Sequence, residues 1–195
     1  MNLTRLMPCL SEDICDEVIA YPGHYSRATT IDDDEVKPFE GRTNSGTVLV
    51  GPLERKVHDA INSALLAWSQ QIERQYPEVA ITLSLPGVTP GLETYREVLS
   101  LLKYEQGEEY VWHCDQPTNP TQTGNTDAQH RLISVVLYLN DDFEGGHTEM
   151  FGRKFEPKKG MALIFPSNWN YPHRACPVTK GTKYAIVTWF HHAID

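Results

Sequence analysis

Residues 110–115 read Tyr110-Val111-Trp112-His113-Cys114-Asp115 and combine a strand pattern with two potential metal ligands. The aromatic and β-branched residues of this segment predict a strand, on which successive side chains point to opposite faces. His113 and Asp115 therefore share one face, whereas Cys114 points away and is interpreted as a packing residue. An imidazole and a carboxylate side by side at the end of a strand can bind one metal ion, so this motif is a candidate metal site.

A third ligand is predicted in Asn170-Tyr171-Pro172-His173-Arg174, where His173 begins a later strand. Two histidines and one carboxylate on one face leave three coordination positions open, which is typical of non-haem Fe(II) in oxygen chemistry. Zinc is the alternative, since hydrolytic zinc sites also combine three protein ligands with an open position. Three other histidines lie in or beside turns and are interpreted as having no partner at ligand spacing. These are His24, His130 and His147.

Lys183 is the candidate for binding an anion behind the metal. Pro177 and Gly181 favour a turn that returns an antiparallel strand beside the His173 strand, so that Lys183 points into the barrel. A buried lysine is costly without an anionic partner. A dicarboxylate cosubstrate would supply one, with its keto-acid end on the metal. The alternative is a solvent-exposed lysine at a strand end.

The remaining sequence predicts helices first and then short strands. Ser11 is the predicted cap of a helix that ends near Tyr21, and a longer helix runs from Pro52 to about Pro77. Its apolar residues recur three or four apart and predict a face that covers a sheet. They are Leu53, Val57, Ile61, Leu65, Trp68 and Ile72. The segment 42–50 is predicted to be extended.

Seven further strands are predicted, separated by turn residues, which favours a jelly-roll sandwich or barrel. They are Glu97–Tyr104, Tyr110–Cys114, Leu132–Leu139, His147–Phe151, Gly160–Phe165, His173–Ala175 and Lys183–Phe190. We predict one domain over residues 1–195, in which 1–94 supply helical support and first strands and 95–195 form the core. The polar segment 117–129 is predicted to be a mobile loop, and is our candidate for a lid over the substrate.

The composition excludes several classes of protein. The chain has 17 Lys and Arg against 26 Asp and Glu, a net charge of −9, which argues against nucleic-acid or anionic-membrane partners. Four scattered cysteines do not suggest a disulfide framework. The first ten residues do not resemble a secretory signal, so we expect a cytoplasmic protein.

Several motifs together resemble the iron(II)/2-oxoglutarate-dependent dioxygenases, and within that superfamily the prolyl 4-hydroxylase-like family. The motifs are Arg42-Thr43-Asn44-Ser45-Gly46, residues 104–115, Arg131 through Asn140, Glu144-Gly145-Gly146-His147-Thr148, His173 and Lys183. The resemblance implies a mainly β fold, with a double-stranded β-helix (jelly-roll, cupin-like) core braced by N-terminal α-helices.

The resemblance also implies roles for individual residues. His113, Asp115 and His173 are implied to be the catalytic iron ligands. Lys183 is implied to bind the 2-oxoglutarate C5 carboxylate, with Tyr104, Tyr138 and Thr148 beside the same cosubstrate. Packing is the alternative for Tyr138 and Thr148. Tyr110, Arg131 and Trp189 are implied to contact the substrate, although an ordinary buried aromatic remains open for Trp189.

The implied activity uses Fe(II), 2-oxoglutarate and O₂ to hydroxylate peptidyl proline, with release of succinate and CO₂. Ascorbate is implied as a possible further cofactor, and a proline-containing protein or peptide as the partner. Three alternatives stay open at this point. They are the same chemistry on a non-prolyl substrate, a non-catalytic metal-binding jelly-roll module, and a zinc hydrolase.

Overall fold

The computed structural model describes residues 2–27, 29–32, 35–38, 40–80, 94–116, 128 and 130–192. These residues form three helices and sixteen strands. The helices are α1 (Glu12–Ile19), α2 (Pro52–Gln75) and α3 (Pro77–Ala80). The candidate lid over 117–129 lies outside the described residues, apart from Ala128.

The strands are short, and most of them pair with segments distant in sequence. They are β1 (Arg5–Pro8), β2 (Ser26–Arg27), β3 (Thr29–Asp32), β4 (Glu35–Pro38), β5 (Ser45–Val48), β6 (Thr94–Arg96), β7 (Ser100–Tyr104), β8 (Tyr110–His113), β9 (Arg131–Tyr138), β10 (Glu144–Gly145), β11 (Thr148–Met150), β12 (Arg153–Phe155), β13 (Met161–Pro166), β14 (His173–Ala175), β15 (Val178–Lys180) and β16 (Lys183–His192).

Two antiparallel sheets make up the core. The large sheet has the order β1-β13-β9-β16-β7-β5-β2, with β6 paired to β16, and the small sheet has the order β12-β11-β14-β8. Neighbours in this order are mostly non-consecutive in the chain, as in Greek-key connections. The predicted jelly-roll fold with a mainly β core is confirmed.

Helix α2 covers the outer face of the large sheet. Its predicted apolar face is buried from Val57 to Ile72, and only Leu53 stays partly exposed. The Trp68 indole donates a hydrogen bond of 2.8 Å to the Leu3 carbonyl, which fixes the N-terminal segment against the helix. Among the described residues, no helix has the length and apolar character needed to cross a bilayer.

The N-terminal third differs from its sequence-based interpretation. Its predicted extended segment, 42–50, contains β5, but β1 to β4 were not predicted. Strand β1 (Arg-Leu-Met-Pro) pairs with β13 at the edge of the large sheet, although it contains no β-branched residue. Such a strand depends on tertiary pairing, which propensity does not report. Ser11 occupies the predicted N-cap of α1, but its side chain makes no capping hydrogen bond.

The neighbours of β16 also differ from the prediction. Lys183 begins β16, which pairs with β7 and β9 in the large sheet, whereas His173 lies on β14 in the small sheet. The expectation that these two strands are adjacent is therefore wrong. Strand β15 pairs with β10, after which a turn at Gly181 (φ +82°) carries the chain into the large sheet.

Candidate active site

Three metal-ligating side chains converge between the two sheets. Strands β8 and β14 pair so that His173 lies opposite His113, and Asp115 follows β8 directly. Asp115 Oδ1 is 3.5 Å from His113 Nε2, and Oδ2 is 3.6 Å from His173 Nε2. One ligand atom from each residue lies within 4.8 Å of the others. The predicted convergence of these three side chains is confirmed.

Backbone carbonyls orient both imidazoles. His113 Nδ1 lies 2.7 Å from the Val111 carbonyl, and His173 Nδ1 lies 3.1 Å from the Tyr171 carbonyl. A carbonyl only accepts hydrogen bonds, so in each ring Nδ1 carries the proton and Nε2 keeps its lone pair. The lone pairs and the Asp115 carboxylate then face a common centre. A cation between these acceptors would stabilise the arrangement.

The protonation states suit metal binding as well. Burial lowers the pKa of His173, and the nearby Asp115 offsets this only in part, which favours the neutral imidazole. Burial alone would raise the pKa of Asp115. The two imidazoles and a hydrogen bond from Ser134 outweigh it and hold this pKa well below the usual range. A neutral imidazole and an ionised carboxylate are the forms that coordinate metal ions, so the three residues fit a divalent cation.

Lys183 enters the same cavity from the large sheet. It is 2% exposed, and its ammonium donates a 2.6 Å hydrogen bond to the Gly146 carbonyl. The Tyr104 and Tyr138 rings lie 4.9 Å and 5.6 Å from Nζ. Burial lowers the pKa of Lys183 to about 8, which Cys176 raises slightly. The lysine thus points inward as predicted, and no carboxylate of the described residues forms a salt bridge with it.

The hydroxyl groups near Lys183 form a buried pair. The Tyr138 hydroxyl donates a 2.8 Å hydrogen bond to Thr148 Oγ1, and both side chains are almost fully buried. Tyr104 lies on β7 directly opposite Lys183. Thr148 and Tyr104 line the cavity with Lys183. Tyr138 lies behind them: its hydroxyl is bonded to Thr148, and its ring lies near the Lys183 ammonium.

Aromatic and apolar side chains form the other walls of the cavity. The Tyr110 ring stacks on the imidazole of His113, with centroids 3.6 Å apart and planes 13° apart. Trp189 also lines the cavity, and Arg42 lies over the Tyr110 ring at 5.3 Å. The apolar lining residues are Leu102, Val135, Val136, Ala175, Ala185 and Val187.

Arg131 lies behind the cavity wall and does not line it. Its guanidinium donates to both carboxylate oxygens of Glu97, stacks 3.6 Å over the Trp189 ring, and donates to the Asp115 carbonyl at 3.2 Å. These contacts of Arg131 are all with the protein itself. Sequence reasoning missed Glu97, because its contact with Arg131 spans 34 residues and no local motif indicates it.

The sequence of the core matches one protein family. Residues 99–191, which include all three metal-ligating residues and Lys183, match the profile of the 2OG-Fe(II) oxygenase superfamily. This segment of the chain is similar to that superfamily. Its members use Fe(II), 2-oxoglutarate and O₂, in agreement with the acceptor-lined centre and the buried ammonium group.

Several of the similar sequences and structures are named as prolyl hydroxylases. Probable prolyl 4-hydroxylase 9 of Arabidopsis thaliana is 33% identical over 120 residues, which are 49% of this chain and 41% of the relative. The chain spans 41% to 66% of the lengths of the plant relatives that it matches.

Two solved structures share the fold of this chain over nearly its whole length. A Pseudomonas putida prolyl-4-hydroxylase superposes with a TM-score of 0.63 at 19% identity, covering 100% of this chain and 95% of its own. A Trichoplax adhaerens prolyl hydroxylase in complex with a hypoxia inducible factor peptide fragment gives 0.66 at 19% identity, covering 98% and 84%.

Proposed function

We propose that the chain is an Fe(II)- and 2-oxoglutarate-dependent dioxygenase that hydroxylates peptidyl proline. One observation carries the proposal: His113, Asp115 and His173 turn acceptor atoms toward one centre, and a buried Lys183 faces the same cavity from the opposite sheet. The three acceptor side chains suit a metal ion, and the buried ammonium of Lys183 suits a carboxylate of a dicarboxylate. A zinc hydrolase would leave the buried ammonium without a purpose.

The three ligands would hold iron on one side of its coordination sphere. Bound there, Fe(II) supplies the chemistry that couples oxidative decarboxylation of 2-oxoglutarate by O₂ to hydroxylation of a C–H bond, leaving succinate and CO₂. The protein's own part is to fix ligand orientation. The Val111 and Tyr171 carbonyls keep each imidazole Nε2 aimed at the centre, and Arg131 holds the backbone of Asp115.

Lys183 is the proposed anchor for the C5 carboxylate of 2-oxoglutarate. Its ammonium has three donors, and the bond to the Gly146 carbonyl occupies one of them. A carboxylate in the cavity would accept hydrogen bonds from the other two donors. Its negative charge would also neutralise the buried ammonium. The Thr148 hydroxyl receives its bond from Tyr138 and is therefore free to donate its own proton toward the same carboxylate.

Tyr110 and Trp189 are the proposed walls for the substrate residue. Their rings line the cavity near the metal ligands and present apolar carbon atoms to it, against which a pyrrolidine ring packs well. These walls would hold the reacting carbon close to the metal. They would also exclude water from the site. Arg131 is proposed to act on substrate indirectly, by fixing the Trp189 ring. The similarity to prolyl hydroxylases supports proline as the target.

The decisive experiment is mass spectrometry of proline-rich peptides incubated with the protein, Fe(II), 2-oxoglutarate and O₂. We expect a +16 Da shift (one oxygen atom) on proline and one succinate per hydroxylation, both lost in Asp115→Ala. Succinate formation without a proline shift in any peptide or host lysate would indicate a non-prolyl substrate. Absence of 2-oxoglutarate turnover under all conditions would indicate a non-catalytic module.

Two further expectations belong to the same proposal. The enzyme is proposed to act in the cytoplasm and to use ascorbate to keep its iron ferrous. Ascorbate would raise the number of turnovers before inactivation and leave the initial rate unchanged.

A further inference from the structure

A second group of potential metal ligands lies on the back of the candidate active site. His147, Glu149 and Cys176 each offer a ligand atom, and these atoms lie within 4.8 Å of one another. Cys176 is 6% exposed, while His147 and Glu149 are half-buried, so a dissolved ion can reach the group from one side. The expectation that His147 has no partner at ligand spacing is therefore wrong.

Strand β14 supplies one side chain to each of the two groups. It lies between β8 and β11 in the small sheet. On the cavity face, His173 meets the His113-x-Asp115 pair of the β8 segment. On the other face, Cys176, just past β14, meets a His147-x-Glu149 pair of the β11 segment. The Cys176 amide donates a 2.9 Å hydrogen bond to the His147 carbonyl and fixes this register.

The alternation of β11 separates the two groups. Thr148 lines the candidate active site, so its neighbours His147 and Glu149 point to the opposite face of the same strand. Residues i and i+2 on one strand, together with a residue on the adjacent strand, form a compact three-ligand cluster. The second group therefore repeats the layout of the first, with a thiol replacing one imidazole.

We propose that His147, Glu149 and Cys176 form a Zn²⁺ site, separate from the iron site. A thiolate, an imidazole and a carboxylate are all zinc ligands, and three of them with one open position make up a four-coordinate site. Thiolate also favours zinc over iron, calcium or magnesium. Zinc bonds of about 2.0–2.3 Å bring ligand atoms to roughly 3.5 Å from one another. Cys176 Sγ and Glu149 Oε2 are already 3.7 Å apart.

Arg174 is the group with which the ion would compete. Its Nε and Nη2 donate to Glu149 Oε2 at 3.0 Å and 2.6 Å. Both bonds end on Oε2, the oxygen that also lies 3.7 Å from Cys176 Sγ. An ion bound to Oε2 would share that oxygen with Arg174, or the carboxylate would turn Oε1 to the ion and leave Oε2 to Arg174. A ligating carboxylate commonly has such an outer hydrogen-bond partner, which fixes its orientation.

Binding would also release a proton. The Cys176 thiol must lose its hydrogen to coordinate Zn²⁺ as a thiolate, and the proton passes to solvent. With one thiolate and one carboxylate, the ligands balance the two charges of the ion. Zinc affinity is therefore expected to rise with pH.

The test uses the full chain carrying Asp115→Ala, which disables the candidate iron site, after removal of metals with a chelator. We expect this variant to bind one Zn²⁺ per chain in isothermal titration. With Co²⁺ in place of Zn²⁺, we expect a thiolate-to-metal charge-transfer band in the near ultraviolet. The iron site contains no thiolate and cannot give that band.

Matched variants complete the test in the same background. Cys176→Ser should remove the band, whereas Cys114→Ser should retain it, although Cys114 lies beside the iron ligands. Glu149→Gln preserves the shape and should weaken Zn²⁺ binding roughly tenfold while keeping the band. The proposal is overturned if Asp115→Ala binds no Zn²⁺, or if the band survives in Cys176→Ser. Either result would overturn the zinc proposal alone, because the proposed dioxygenase activity is tested separately on the unmodified chain.

Discussion

Arg131 and Glu97 form a two-bonded ion pair, with Nε–Oε1 and Nη2–Oε2 distances of 2.6 Å and 2.7 Å, directly behind the metal ligand Asp115. The third contact of the guanidinium is to the Asp115 backbone carbonyl, at 3.2 Å. The pair is largely shielded from solvent, with side-chain exposures of 13% and 12%. It therefore links the position of a metal ligand to a residue on the far side of the cavity wall.

Glu97→Gln should loosen this link. The substitution replaces one carboxylate oxygen, which accepts a hydrogen bond from Arg131, by an NH₂ group, which can only donate. Loss of this charge-assisted hydrogen bond costs about 1–3 kcal/mol of folding free energy. We expect weaker binding of Mn²⁺, used in place of Fe(II), together with a lower melting temperature. Glu17→Gln breaks the exposed Lys56 pair and is the control, which should change neither quantity appreciably. Unaltered Mn²⁺ affinity in Glu97→Gln would exclude a positioning role.

Asp115→Ala should abolish 2-oxoglutarate turnover, and His173→Ala should do the same. Each variant removes one of three proposed ligands, and Asp115→Ala leaves two imidazoles without the carboxylate between them. The measurement is iron-dependent succinate production, paired with the iron content of the purified protein. Cys114→Ala is the control, because Cys114 lies between two ligands in sequence but makes only a 3.7 Å contact with the Trp169 carbonyl. Undiminished succinate production in Asp115→Ala would refute the assignment.

Binding of 2-oxoglutarate should weaken above about pH 8. Burial lowers the pKa of Lys183 to about 8, so at pH 7 the lysine is mostly the cation that a carboxylate requires. Above the pKa, the cationic fraction falls about tenfold per pH unit, and the apparent Kd should rise accordingly. Anaerobic titration with Mn²⁺-loaded protein between pH 6.5 and 9.5 measures this.

Lys183→Arg is the control for that pH dependence. A guanidinium stays charged throughout the range, so whatever affinity the variant retains should not vary with the state of residue 183. A wild-type Kd that stays flat up to pH 9.5 would show that Lys183 is not the anchor.

Gly146→Ala should impair cosubstrate binding. Gly146 has φ +63°, and an added Cβ would lie 2.8 Å from Phe143 Cε2 and 3.3 Å from Lys183 Cδ. The substitution would therefore move both the carbonyl that holds the lysine and the lysine itself. Gly152→Ala is the matched control, since Gly152 also has a positive φ (+69°) but nothing within 4 Å of the added Cβ.

Both glycine substitutions should cost about 1–2 kcal/mol of stability from left-handed backbone strain. Only Gly146→Ala should raise the Kd for 2-oxoglutarate. Equal affinity in the two variants would mean that the Gly146 carbonyl does not set the position of Lys183.

The metal ligands were predictable because strand alternation is a local property. His113 ends β8 and Asp115 lies two residues beyond it, where the alternation of an extended chain puts both on one face. The motif around His173 indicates a third ligand. The inward direction of Lys183 was predicted from a turn that would return its strand beside the His173 strand. The direction is right, although that pairing is wrong. The sheet to which Lys183 belongs was not predictable, because the pairing of β16 with β7 and β9 depends on the turn at Gly181 and on contacts distant in sequence.

Other features left no local signal at all. The contact between Glu97 and Arg131 and the pairing of β1 with β13 both join distant segments, and neither has a characteristic residue pattern. The second ligand group was obscured for a similar reason, since Cys176 lies far along the chain from His147. In each case, tertiary structure brings together residues that are individually unremarkable.

The metal ligands belong to the small sheet and Lys183 to the large one. A dicarboxylate that contacts both the metal and Lys183 would therefore connect the two sheets. The melting temperature and the force needed to unfold the protein should rise only with ligands that contact both sheets. A shorter monocarboxylate, which contacts one sheet, should leave both quantities unchanged.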